Sequence, residues 1–400
     1  MKRLIFLLFT LSLFLFSACG KAPGDSAGHT GTTDTLDSTR FTLHPEDHNQ
    51  HNFVTSFVET QEGYFYGHTE GEFGSSSRSL IYFCSRGEDT FVPLCGKPNC
   101  SHHDENCNAW FGDGQAECFG YYNGALYAAA FDWDKYLVYR INLDGTGHER
   151  VAEVDLSKLD EYSSVPAFHH GKLIVCCEAP QTLPAEERED HVIVMDLSDY
   201  SQKEIGMDYL QEARLPGPLR WFYKDKAYEL ATGDKRLDHA ASEKKLTELD
   251  LTTGEVREAL QRPVTGLYMT DATWYFFERD LSRSDPKSEE TAPGFREYDV
   301  ASGSIKECGL PVEDIIAAYY DDNYIYACGD YKNDTYSLYI LSRDYKLLNT
   351  IELREDMDVV AIASDRVYFF ENYSFNFDFY LDKSEIGSHN LELKPVKHAG

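Results

Sequence analysis

Hydrophobic residues along this chain fall into short bursts, many alternating with polar positions, and each burst stops at a cluster of Gly, Asp, Asn, Ser or Thr. One burst recurs, a turn residue followed by an aliphatic and aromatic strand. It reads Gly63-Tyr-Phe-Tyr66, Gly124-Ala-Leu-Tyr127, Gly171-Lys-Leu-Ile174, Asp225-Lys-Ala-Tyr228, Ala272-Thr-Trp-Tyr275, Asn323-Tyr-Ile-Tyr326 and Asp365-Arg-Val-Tyr368, with successive starts 61, 47, 54, 47, 51 and 42 residues apart. A second strand ending in a polar turn follows, clearest in Leu249-Asp-Leu-Thr-Thr-Gly254, Tyr298-Asp-Val-Ala-Ser-Gly303 and Ile141-Asn-Leu-Asp-Gly145. A further strand comes next, as in 255–260, 304–308 and 347–353, and another precedes the turn, as in 219–223 and 315–320.

Each unit is therefore a four-stranded antiparallel meander. Such a sheet cannot bury both faces alone, and radial stacking around an axis solves the problem while leaving only short edges. The pattern predicts an all-β fold, a seven-bladed β-propeller of four-stranded antiparallel blades over roughly residues 53–396. Six or eight blades are the alternatives, because the 61-residue spacing contains an insertion and Phe41-Thr-Leu43 can supply an extra closing strand. Helical periodicity is scarce, with residues 156–162 and 208–214 able to form a turn or two.

The chain begins differently. Lys2 and Arg3 precede apolar runs at 4–9 and 11–16, a charged start and a hydrophobic stretch shorter than a bilayer-spanning helix needs. The stretch ends at Phe16-Ser-Ala-Cys19-Gly20, which resembles the lipobox of bacterial lipoproteins, although Phe16 stands where Leu is usual. The resemblance implies a signal peptide over 1–18, a diacylglycerol-modified Cys19, and an extracytoplasmic protein held at the cell membrane by lipid. Residues 19–39 have the Gly, Ser, Thr, Asp and Pro composition of a flexible tether, and the propeller is expected over 40–400.

Composition narrows the partners. With 37 Lys+Arg against 68 Asp+Glu in 400 residues, the net charge of −31 excludes nucleic acid, whose phosphates demand clustered cations. Hydrophobic residues at 42% and aromatic ones at 14% suffice for a core, so the charge does not signal disorder.

Residues 93–109 form a Cys/His-rich insertion, in which Cys95, Cys100, His102 and Cys107 could surround a structural zinc tetrahedrally, with His103 as an alternative ligand. Two readings compete: two disulfides among these cysteines and Cys84 or Cys118, which would pin the same loop, or thiols that stay free. Cys176, Cys177, Cys308 and Cys328 read as small buried hydrophobes. Together, the repeats resemble the Tol-like and WD-repeat-like propellers of extracytoplasmic bacterial proteins. With the Cys-rich segment after the first blade, they resemble a group of bacterial propeller lipoproteins. The resemblance implies fold and location and carries no activity.

Long polar connections at 178–190, 232–244 and 279–293 fall on three consecutive blades and should share one face with the Cys/His segment. Aromatic side chains in such loops, Phe131, Trp133 and Tyr136 in one and Tyr373 with Phe375, Phe377 and Phe379 in another, suit stacking on sugars or filling a partner's pocket. The alternation from Tyr373 to Phe379 equally fits one face of a strand. His169-His170 reads as a surface pair, Asp321-Asp-Asn323 as a turn able to take Ca2+, and paired acids such as Asp132 with Asp134 as a solvated face. Signatures of nucleophilic, metalloprotease or nucleotide chemistry are missing. The expected function is a binding or scaffold module for a protein or glycan at the cell surface. The alternative is a carbohydrate-active hydrolase or lyase with its acids at the channel mouth. Replacing Cys19 by Ser should release the protein from the membrane fraction, and labelled fatty acid still incorporated into Cys19→Ser would refute the lipobox reading.

Overall fold

The computed structural model describes residues 42–47, 56–70, 78–112, 116–159, 163–179, 191–206, 221–231, 245–278, 293–309, 312, 315–332, 335–354, 356–371 and 377–399. Within them the strands form seven sheets, each built on an antiparallel meander in chain order. Blade 1 holds Phe57–Glu59, Gly63–Glu70, Arg78–Ser85 and a fourth strand in two pieces, Thr90–Pro93 and Trp110–Gly112. Blade 2 holds Ala116–Tyr122, Ala125–Phe131, Lys135–Ile141 and Glu149–Asp155, and blade 3 holds Ser163–His169, Lys172–Glu178, His191–Asp196 and Gln202–Gly206. Blade 4 comprises Trp221–Tyr223, Lys226–Ala231, Lys245–Asp250 and Val256–Leu260, and blade 5 comprises Val264–Met269, Thr273–Glu278, Gly294–Asp299 and Ser304–Cys308. Ile315–Tyr320, Tyr324–Lys332, Thr335–Ser342 and Leu347–Arg354 make blade 6, and Met357–Ile362, Arg366–Glu371, Phe379–Asp382 and Lys394–Pro395 make blade 7.

The protein is a seven-bladed β-propeller, and all seven sequence repeats fall at the turn between the first and second strands of a blade. Residues 42–47 form no strand, so they do not supply an extra blade. Of the two weak helical segments, 156–159 form a turn, while 160–162 and 208–214 lie outside the described residues. Among the described residues, helix is confined to the 3-10 turn Lys383–Glu385, and no helix is long and apolar enough to cross a membrane.

Burial follows from the stacking. Second strands lie between neighbouring blades on both faces, so Ala125–Phe131 and Arg366–Glu371 are buried in every position but the last. Fourth strands are outer edges, and Glu149–Asp155 and Leu347–Arg354 are accordingly largely open to water. First strands crowd at the axis. A Cβ on Gly266 would stand 2.1 Å from the backbone oxygen of Ala318 in the next blade, which only glycine avoids.

In a meander of this kind the first-to-second and third-to-fourth turns open on one face, here the turn face, and the remaining connections open on the other, the loop face. On the turn face, acids of one blade's first turn receive donors from a neighbouring blade. Lys172 reaches Asp225 at 2.7 Å, Tyr223 donates to Asp271 at 2.7 Å, Tyr268 donates to Asp322, and Tyr64 donates to Asp365. Asp225 and Asp365, which stand where Gly opens the first three repeats, thus serve as acceptors between blades, and Asp271 and Asp322, one residue ahead of that position, do the same. Between blades 6 and 7 the buried Lys383 ammonium lies 2.5 Å from Asp321 and donates to the Ala363 carbonyl.

The ring closes between blades 7 and 1. Glu59 pairs with Arg86 at 2.9 Å and accepts the Ser364 backbone N–H at 2.7 Å. The chain end then crosses the seam: Lys397–His398 adds a parallel strand to Thr90 and Phe91 at the outer edge of blade 1. His398 meets the Tyr66 hydroxyl through Nδ1 at 3.0 Å and the Phe377 carbonyl through Nε2 at 2.9 Å. Replacing His398 by Ala leaves both groups without this partner, so a loss of about 1–3 kcal/mol is expected. A lower urea midpoint at unchanged slope would register it, and an unaltered midpoint would count against a closing role for this strand.

Candidate metal centre and exposed platform

The Cys/His segment leaves the ladder of blade 1 in mid-strand. The third strand pairs Tyr82 with Pro93 and Leu80 with Trp110, while Ile81 between them donates to the Ala109 carbonyl at 2.9 Å and accepts from Leu94 N–H at 2.8 Å. Leu94 and Ala109 together do the work of one ladder residue, and 95–108 bulge out between them. This corrects the expectation that the segment lies on the loop face. It packs instead against the third-to-fourth turn of blade 2, where His148 Nε2 meets the Asn108 carbonyl at 2.8 Å and a Cβ on Gly145 would strike Leu94.

Inside the bulge, left-handed backbone at Asn99 (φ 58°) and His102 (φ 56°) turns the chain back on itself. One donor atom each of Cys95, Cys100, His102 and Cys107 then lies within 4.8 Å of the others, and His102 Nδ1 is 3.1 Å from Cys107 Sγ. All four predicted ligands converge. Tetrahedral donors around zinc stand about 3.3–3.8 Å apart, so a small contraction closes this set on an ion.

Cys84, Cys95, Cys100 and Cys107 carry free thiols in this structure, without the disulfides of the competing reading. Burial raises the Cys107 thiol to about 12 despite the Ala109 N–H that points at its sulfur from 3.3 Å. Burial also pushes Cys95 upward, but the N–H groups of Lys97 and Asn108, together with the thiols of Cys100 and Cys107, hold it below its ordinary value. Backbone donors aimed at sulfur stabilise thiolate, the form that binds metal. A Cys3His group of this kind can hold a metal such as zinc, and with four protein donors it leaves no position for a catalytic water.

Of the predicted binding aromatics among the described residues, Phe131 and Trp133 are exposed. Trp133 is 91% exposed and Phe131 40%, on the second-to-third turn of blade 2, which opens on the loop face. Tyr136 does not belong with them. It is fully buried, its hydroxyl bonding Ser164 of blade 3 at 3.1 Å, because its place on the third strand faces the neighbouring blade. Tyr373 and Phe375 lie outside the described residues, Phe377 is buried in the seam and Phe379 is half-buried. Cys19 and most of the three long polar loops also lie outside them. Cys176, Cys177, Cys308 and Cys328 are buried, as read from the sequence.

At the axis, a cavity of about 390 Å3 opens on the turn face, lined by first-strand ends of all seven blades and by residues 42–47. Its acids are engaged. Glu59 holds Arg86 and Ser364, Asp322 holds Tyr268, and Asp321 holds Lys383, Tyr326 and two backbone N–H groups. Those bonds occupy the Asp321 carboxylate that the sequence offered to Ca2+. The sequence also missed His169, which is buried at 2% exposure rather than lying at the surface.

No protein-family model and no curated protein matches the chain. Solved structures do. An uncharacterised protein from Listeria monocytogenes EGD-e aligns at TM-score 0.50 and 10% identity over 90% of this chain and 98% of that one. A structure from a study of two prolyl endopeptidases aligns at 0.52 and 10% identity over 86% of this chain but only 50% of that one. The β-propeller domain of the Trilobed protease from Pyrococcus furiosus aligns at 0.47 and 10%, over 86% and 96%. At such identities the likeness is one of fold alone.

The bulge should take up one thiophilic ion per chain. With Co2+ the expected sign is intense thiolate-to-metal absorption that vanishes in Cys107→Ala and weakens in His102→Ala, the affinity falling by about a hundredfold or more. Absorption unchanged in Cys107→Ala would mean that the metal sits elsewhere.

Proposed function

We propose that this chain is a lipid-anchored, extracytoplasmic β-propeller that binds a glycan through Trp133 on its loop face, with zinc in the Cys95, Cys100, His102, Cys107 centre as a structural fastener. The observation that carries the binding role is Trp133 itself. A bulky aromatic residue at φ 55° costs on the order of 1–2 kcal/mol and leaves its ring 91% exposed, which stability alone does not favour. The turn that presents it is rigid. Asp132 N–H donates to the Lys135 carbonyl at 2.8 Å, and Leu156 N–H from the following connection donates to the Asp134 carbonyl at 2.7 Å. Phe131, two residues earlier in the same turn, is a second exposed aromatic, and Asp132 and Asp134, the chain neighbours of Trp133, offer hydrogen-bond acceptors for hydroxyl groups.

An exposed aromatic face with acidic residues on either side in the chain suits the two surfaces of a sugar ring, its C–H face and its hydroxyl rim. A hydrolase or lyase is less well supported, because Glu59, Asp321 and Asp322 at the axial cavity are committed to partners within the protein. The lipobox-like Cys19 and the tether place this platform at the cell surface in the same reading.

The test is a glycan array followed by titration of Trp fluorescence with the best ligand. Trp133→Ala should weaken binding at least about tenfold with the fold intact, and Phe131→Ala should weaken it less. An empty array, or equal affinity in Trp133→Ala, would overturn the glycan reading.

A further inference from the structure

Residues 42–47 lie as a strap at the axial mouth, and their contact with blade 3 has the composition of a metal site. His170 N–H donates to the Glu46 carbonyl at 2.8 Å, His170 Nε2 meets Asp47 Oδ1, and His44 Nδ1 lies 3.7 Å from Asp47 Oδ2. One donor atom each of Asp47, His169 and His170 falls within 4.8 Å of the others.

A second, independent feature singles out His169. Its Nε2 lies 2.7 Å from the backbone carbonyl of Lys224 in blade 4. A carbonyl only accepts, so Nε2 carries the hydrogen, and in the neutral ring the lone pair is then on Nδ1. Metal-binding imidazoles are oriented in this way, with one ring nitrogen donating to a carbonyl while the other ligates. The His169 and His170 rings stack at 4.3 Å and 12°, two basic groups placed face to face beside one carboxylate.

We propose that Asp47, His169 and His170 bind a divalent transition metal such as Zn2+ or Ni2+, which clasps the strap to blade 3. Imidazole with carboxylate selects this class over Mg2+ and Ca2+, which prefer oxygen alone. Lone pairs lie in the ring planes, so the half-exposed His170 ring must turn out of the stack to share an ion with His169. Asp225 adds a second carboxylate near His170 and is itself paired with Lys172 at 2.7 Å, while His44 is held on the far side by Asp322 at 3.4 Å and is not counted among the ligands.

The experiment is Co2+ titration of the full-length protein. A cobalt spectrum without thiolate charge transfer is expected, distinct from the intense absorption of the Cys3His centre and present whether or not that centre fills. His169→Ala with His170→Ala should abolish the weak spectrum and leave the thiolate absorption untouched. Should the double variant fail to fold, His170→Gln, which can still hydrogen-bond Asp47, should retain native circular dichroism and weaken the site more than about tenfold. Absence of cobalt bound by nitrogen and oxygen in the native chain overturns the proposal, as does unchanged affinity in His170→Gln.

Discussion

Closure of the ring between its first and last blades is the constraint on which everything else depends. Each blade is contiguous in sequence, so the seam cannot borrow a covalent link from the meander. It is built from side chains instead: Arg86 joins Glu59 to Ser364, Arg366 lies buried over the rings of Tyr64 and Tyr380, and Phe377 stacks between Tyr66 and Tyr368. Burying these charges is tolerable because each has an opposite charge or an aromatic face beside it, and removing one partner would strand the other in a dry interior. The terminal strand completes the seam by covering the exposed edge of blade 1.

The remaining blade junctions follow a milder version of the same logic. Apolar second strands fill the space between blades, and from blade 3 to blade 6 a donor on one blade's turn reaches an acid on the next. This explains an otherwise odd feature of so acidic a chain, since part of its carboxylate excess lies on a ring of turns whose neighbours supply Lys and Tyr hydroxyls. The candidate sites lie at the margins of this scaffold, in the bulge, the loop-face turn and the strap.

Much of the architecture was legible because it rests on local rules repeated seven times. Gly63, Gly124 and Gly171 mark tight turns before buried strands, and the intervals between repeats alone yield the blade count. What failed was the assignment of side chains to faces. Tyr136 lies three residues from Trp133 and looks equally available, yet strand alternation turns it into the interface with blade 3. The cysteine segment looked like a connection between blades, since nothing local announces that Ile81 pairs on both sides of it. Asp47 meets His169 and His170 only because the strap crosses the axis, a long-range contact with no periodic signature.

The bulge carries one more implication. Since Leu94 and Ala109 share the two hydrogen bonds of a single ladder position on Ile81, the blade keeps its register whatever lies between them. The outer strand of blade 1 therefore works as a splice site: sequence can be gained, lost or exchanged there across generations without shifting any strand downstream. A cysteine-rich cassette can thus diverge on its own schedule while the ring beneath it stays under the slower discipline of close packing.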